Sequence, residues 1–382
     1  MREAIHVNDQ KKYNIPQNLP DEEIQNLKLI ANKGTFKCPY CNAKLYVKSG
    51  PIHGNYFSHQ HGEGCELSKQ SEARSRKYEQ QKKNDTPRHP QILAQMYDEL
   101  HVLSKVYSHL TCSLGYLDAN FSKYIPDISL QIHDHKYALT IITNVNSYLD
   151  DSKANTIRKH TEYYKTLGYE PLFFIERSNL GIDTDGYSLV LWQTEKEALT
   201  VQVADLHWQQ FLTHLAPASQ LQQLLYIPKT PMQVQSIIYI TPATESIAIE
   251  AFHVIEYPNS NPAKAYFFSQ PYPLTFSQAF KLTKDSLILA NMELEQENQQ
   301  KFANKFKEAL TIHLKEQERI EQEKALQLQK KLTEEAATRE RKKQIVEQNT
   351  KTYDEQFKNS AYQKATKETR MEMLKLVYNS NN

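Results

Sequence analysis

The sequence predicts a multidomain α/β protein, and three observations carry that prediction. Cys and His residues gather near the N-terminus, apolar strand-like runs alternate with amphipathic helices through the middle, and neither glycine nor proline occurs beyond Lys281. The first pattern marks a small metal-stapled module, the second a mixed α/β core, and the third a long helical region.

Bulk composition sets limits on these parts. The chain has 382 residues, enough for two or three domains. Its 46 basic and 45 acidic side chains leave a net charge of +1, so there is no overall pull on polyanions. Nucleic-acid affinity would have to come from local patches. Three of the 4 cysteines lie within residues 38–65, while Cys112 stands alone. Such clustering reads as metal, because a secreted disulfide framework would spread its cysteines. Residues 1–14 show no charged-then-apolar leader, and no run reaches the roughly 18–20 apolar residues of a membrane span. The expectation is a cytoplasmic protein without a membrane span.

Residues 1–67 form the first predicted module. An amphipathic helix is expected near residues 21–31, followed by Phe36-Lys37-Cys38 and by alternation over residues 44–48. Gly50-Pro51 turns the chain into a second short strand at residues 55–59, giving a β-hairpin with a ligand pair at one end. A basic polar helix over residues 71–83 and the break Thr86-Pro87-Arg88-His89-Pro90 make residues 68–90 a basic helical linker. Residues 91–215 then read as a helix (91–106), strands at 107–114, 128–132 and 137–143, a helix (155–167) and strands at 171–175 and 188–192. That order is a mixed α/β core with a crossover helix. Short β-like runs at 236–240 and 246–252 predict a β-rich appendage over residues 216–281. Residues 282–382 are rich in Glu, Gln, Lys, Ala and Leu, with Phe302, Phe306, Leu310 and Leu314 recurring every four positions. This is a charged helical or coiled-coil tail, its mixed charges suited to solvent.

Cys38 and Cys41, with two residues between them, can close on one ion from a tight turn. His59 and Cys65 would complete a tetrahedral set of three sulfurs and one nitrogen, with His53 and His61 as competitors for the nitrogen position. A short polar segment buries little apolar surface, so zinc would supply missing folding energy. Four protein ligands leave no place for water, which makes this zinc structural.

The order Phe36-x-Cys38-Pro39-x-Cys41, a basic strand, Tyr56-Phe57-Ser58-His59, Cys65, a helix and then Pro126-Asp127 resembles the CoiA competence proteins of Gram-positive bacteria. The resemblance covers about residues 36–225, including residues 163–168, 208–215 and 224–228. It implies a zinc-binding N-terminal module and a restriction-endonuclease-like core of the PD-(D/E)xK class at residues 91–215. It also implies a role in binding or processing incoming single-stranded DNA for recombination during transformation.

Nucleases of that class need Mg²⁺ or Mn²⁺ held by hard oxygen ligands, which polarises the phosphate and activates water. Asp127 supplies the first carboxylate. The next strand should carry an acid, then a Lys or Gln two residues later, but Thr140 and Ile142 stand there. A hydroxyl binds the ion weakly and isoleucine cannot orient water, so the core is expected to be weak or inactive as a nuclease. The rival reading is an active metal-dependent nuclease with a migrated acid, Glu72 or Glu99, or Asp134 in the turn. Lys82, Lys83 and Arg88 before the core, and Arg158, Lys159 and Tyr164 on the crossover helix, are the candidate nucleic-acid-binding residues. The tail is expected to engage recombination or competence proteins, and a protein-only scaffold is the third reading.

Overall fold

The computed structural model describes residues 1–379 except 17–18, 52–53, 61–63, 230, 243–246, 283–286 and 360. His53 and His61 therefore lie outside the described residues. The chain divides into two compact units, Met1–Phe306 and Lys307–Asn382.

In the first unit, β1 (Glu3–His6) lies between β2 (Lys12–Asn14) and β3 (Phe36–Lys37) in a three-stranded antiparallel sheet. The helix α1 (Asp21–Asn32) connects β2 to β3; Asp21, Glu22 and Glu23 in its first turn suit the positive end of the helix dipole. Its buried residues Ile24, Leu27 and Ala31 recur at helical spacing. Next comes the antiparallel hairpin β4 (Leu45–Gly50) and β5 (Gly54–His59). Phe36, Leu45, Val47 and Phe57 share one small core, with the rings of Phe36 and Phe57 5.0 Å apart.

Two helices, α2 (Glu66–Gln81) and α3 (Arg88–Val106), lead into the main sheet. Its first strands are the meander β6 (Leu110–Leu114), β7 (Ile128–Ile132) and β8 (His135–Ile142). The crossover helix α4 (Asp150–Thr166) then returns the chain to β9 (Glu170–Glu176), parallel to β8. After β10 (Gly181–Ile182) and β11 (Ser188–Leu191) come three helices, α5 (Gln193–Glu197), α6 (Val203–Leu215) and α7 (Ala218–Leu225). The strands β12 (Gln235–Pro242), β13 (Ile247–Glu256), β14 (Ala263–Phe267) and β15 (Leu274–Thr275) complete the sheet. The order is β10-β11-β14-β13-β12-β9-β8-β7-β6, with β15 on β13.

This topology corrects the expectation of a separate β-rich appendage at residues 216–281. Its strand β12 lies parallel to β9, with Ile238 opposite Phe174 and Ile240 opposite Glu176, so both segments share one ten-stranded sheet. The physical reason is that β12 is apolar on both sides. Ile238 and Ile240 join the core against α3, whereas Ile237 and Tyr239 join the core against α4. A strand buried on both faces belongs inside a sheet.

A small hairpin follows, β16 (Phe280–Leu282) and β17 (Leu287–Leu289), with the short α8 (Phe276–Ala279) before it. The helix α9 (Met292–Asn359) starts within the first unit, where Glu295, Phe302, Ala303 and Phe306 are buried. The predicted tail thus begins too early at residue 282. A buried polar network holds this start. His253 Nδ1 lies 2.7 Å from Asp205 Oδ1, His253 Nε2 lies 3.3 Å from Glu295 Oε1, and the Trp208 indole N–H donates to Glu295 Oε2 at 2.6 Å. Burial alone would lower the His253 pKa, but the two carboxylates push it up to about 10. In the second unit the described residues are helical through the end of α9 and α10 (Ala361–Asn379), and Ile312, Leu328 and Leu332 are exposed. Among the described residues no helix is long and apolar enough to cross a membrane.

Candidate metal centre and the Asp127 pocket

The thiol cluster is built by three local features. Cys38 directly follows β3 and opens a tight turn in which its N–H donates to Ala43 O at 2.8 Å and its O accepts from Asn42 N at 2.9 Å. Asn42 takes a positive φ of 59°, which turns the chain back after Cys41 so that Ala43 O meets Cys38 N. His59 ends β5, opposite Leu45, and Cys65 is the residue that caps the N-terminus of α2. A helix N-terminus favours a thiolate.

These pieces bring the four predicted ligands together. Cys38 Sγ and Cys65 Sγ are 3.8 Å apart, Cys41 Sγ and His59 Nε2 are 3.2 Å apart, and all four ligand atoms lie within 4.8 Å of one another. Zn–S bonds of about 2.3 Å in a tetrahedron put sulfurs about 3.8 Å apart, so the donor set fits zinc. Burial pushes the Cys38 thiol up to about 12. A cation is what would stabilise its thiolate there. Cys38, Cys41, His59 and Cys65 could hold a metal such as zinc.

The second site centres on Asp127. Its N–H donates to Leu139 O at 2.9 Å, extending the β7–β8 ladder by one step beyond the pair Ile128–Leu139. Asp127 and Thr140 therefore face each other across the strands, on the side where Ala138 packs with Tyr78 and Tyr164. The Asp127 side chain has no solvent exposure. Four donors surround it. Tyr78 Oη donates to Oδ1 at 2.5 Å and His89 Nε2 lies 2.9 Å from the same oxygen. Lys82 Nζ donates to Oδ2 at 2.8 Å, and the Ile141 N–H donates to Oδ2 at 2.6 Å. Burial acts to raise the Asp127 pKa, but Lys82 and His89 outweigh it and hold the carboxyl well below its ordinary range.

Lys82 does more than pair with one acid. Its ammonium also donates to Ile141 O at 3.2 Å and lies 3.6 Å from Asp85 Oδ2. Asp85 in turn sits 3.8 Å from His89 Nε2 and 3.3 Å from Lys153 Nζ. The Thr140 hydroxyl is buried with no hydrogen-bond partner among the described residues. Ile142 packs in the core beneath α4. A cleft of about 460 Å³ opens beside Tyr78, Lys82, Asp85 and His89.

The remaining predicted residues are scattered. Glu72 pairs with Arg76 at 2.7 Å. It lies on α2 six residues before Tyr78, about 9 Å of helix, and is not among the groups that contact Asp127. Glu99 is exposed on α3 and is not among the groups that contact Asp127. Asp134 lies exposed in the turn after β7. The acid that does approach is Asp85, which the sequence hid in a polar break between two helices. Arg88 is tied to Glu176 at 2.7 Å and Arg158 to Glu197 at 2.5 Å, while Lys82 serves Asp127. Tyr164 is fully buried with its ring edge-on to Phe121 at 5.6 Å, so it has no face to offer a base. Lys83 and Lys159 are exposed.

A family model described as competence protein CoiA, N-terminal domain, matches residues 17–68. The matched segment contains all four residues of the candidate metal centre. No curated protein matches the chain. No solved structure matches it either.

Proposed function

We propose that this chain binds single-stranded DNA during natural transformation and that its nuclease-like core does not hydrolyse it. The match of residues 17–68 to the CoiA N-terminal domain suggests a competence-related role. The single observation that supports a silent core is the saturation of Asp127. A carboxylate has about four lone-pair sites, and four donors occupy them here. Lys82 is a resident monovalent cation on the oxygens of Asp127, Ile141 and Asp85, the hard ligands a divalent ion would seek. Thr140 and Ile142 supply neither a second acid nor a group to aim water. The N-terminal zinc acts as a staple on this reading. The same reading puts the protein in the cytoplasm, with the helical region contacting recombination or competence proteins.

The test is cleavage of single- and double-stranded DNA by purified protein in Mg²⁺ or Mn²⁺. No cutting is expected. Cutting that disappears in Asp127→Ala would overturn the proposal. One observation favours a second reading, an active nuclease with a rearranged acid: Asp85 lies in the same cluster as Asp127. On that reading Asp85→Asn would abolish cutting as well.

A further inference from the structure

Several of the cations that flank the core are neutralised, and three that are not meet at one place. Lys82, Arg88 and Arg158 each sit on a carboxylate. Lys77, Lys123 and Lys159 are exposed, and among the described residues none of them is in an ion pair. Three elements bring them together. Lys77 reaches from α2 to donate to Ser122 O at 3.0 Å, on the loop before β7. From the other side, Tyr163 of α4 accepts the N–H groups of Ser122 and Lys123 on its hydroxyl at 3.0 and 3.2 Å. Lys159 lies one turn before Tyr163 on the same flank of α4.

That loop is held rigidly and carries an aromatic ring. Tyr124 stands edge-on to Tyr163 with centroids 5.6 Å apart and leans on His160 at 4.7 Å. The Lys123 ammonium lies over the Tyr124 ring, 5.2 Å from its centre, so a base takes that face when Lys123 swings out to a phosphate. Unpaired ammonium groups around a half-exposed, braced tyrosine match the chemistry of a single strand: phosphates for the lysines, a base face for the ring. Paired guanidinium groups would first have to give up a carboxylate.

We infer that Lys77, Lys123 and Lys159, with Tyr124 as a stacking platform, form a binding site for single-stranded DNA. The inference rests on the DNA-binding reading above and assigns its surface. It keeps Lys159 and, from the basic helical linker read in the sequence, Lys77, and it adds Lys123.

The experiment measures anisotropy of a labelled oligothymidylate with the full-length chain at two salt concentrations. Partners in the comparison are the triple variant Lys77→Ala, Lys123→Ala, Lys159→Ala, the single variant Tyr124→Leu, and Arg158→Ala as a control, with circular dichroism to verify folding. The triple variant is expected to lose at least about tenfold in affinity. Its log–log salt slope should shrink by about 2, given roughly 0.7 per phosphate on single strands. Tyr124→Leu should weaken binding without changing the slope, and Arg158→Ala should change neither. If wild-type protein binds and the folded triple variant binds equally well with the same slope, the site is wrong while the DNA reading survives. Equal or tighter binding of a duplex of the same length overturns the single-strand assignment. If wild-type protein binds no DNA, both fall.

Discussion

Asp127 is buried without exposure, yet it stays ionised because Lys82 and the surrounding donors compensate it. Removing one partner of such a cluster strands the other's charge. Asp127→Ala should therefore destabilise the protein by about 3–5 kcal/mol, read from urea denaturation. Adding Lys82→Met should recover part of that loss, so a double-mutant cycle on the pair yields a sizeable coupling energy. A carboxylate reserved for catalysis behaves differently, since removing it is usually neutral or stabilising. Asp127 was legible in the sequence from the proline before it and the apolar strand after it. Its partners were not. Lys82 reads as one more solvated lysine, because the acid that claims it comes 45 residues later. Tyr164 was misread for a different reason. Ala154, Ile157, His160 and Tyr164 recur at helical spacing and are all buried, a stripe that was visible before any coordinates.

At the scale of elements, the N-terminal knuckle was the most legible part, because its chemistry is local in sequence. Its turn, hairpin and helix start all fall within residues 36–66. Metal analysis should find about one zinc per chain, and Cys38→Ser should lose it. Chelation of the wild-type protein should then speed amide hydrogen exchange in β4 and β5, whose Leu45–His59 end adjoins the metal site. The anchoring of α9 gives a second expectation. The His253 pKa stands at about 10 in the folded chain against 6.5 for an ordinary histidine. Because the folded value is the higher one, the stabilisation is complete below about pH 6.5 and is lost as pH rises through about 10. Urea titrations across that window should show wild-type stability falling more steeply than that of His253→Gln. A slope unchanged by the substitution would mean that the imidazole is neutral. Nothing in the sequence marked this network, whose members lie far apart on α6, β13 and α9.

For the whole molecule, the decisive fact is that one sheet runs through segments expected to be separate. The α/β class, the crossover helix and the order of the first strands were readable from periodicity. The sheet order was not, since β9 and β12 pair across three intervening helices and a pattern of apolar residues does not name its partner. A fragment of residues 1–215 would leave β9 as a bare apolar edge, and such edges aggregate. Residues 1–306 keep the sheet whole. The shorter fragment should elute as aggregate on size exclusion, and the longer one should unfold cooperatively by circular dichroism. Comparable, monomeric behaviour of both would contradict the single-sheet architecture. The contact of Trp208 with the first turn of α9 has a practical side. The chain has 2 tryptophans; Trp208 is shielded from water, whereas Trp192 is 36% exposed. Acrylamide should quench the emission of Trp192 first and leave a blue-shifted residue of light from Trp208. That protected glow is a native optical gauge of whether the long helix keeps its footing at Glu295, readable without any attached dye.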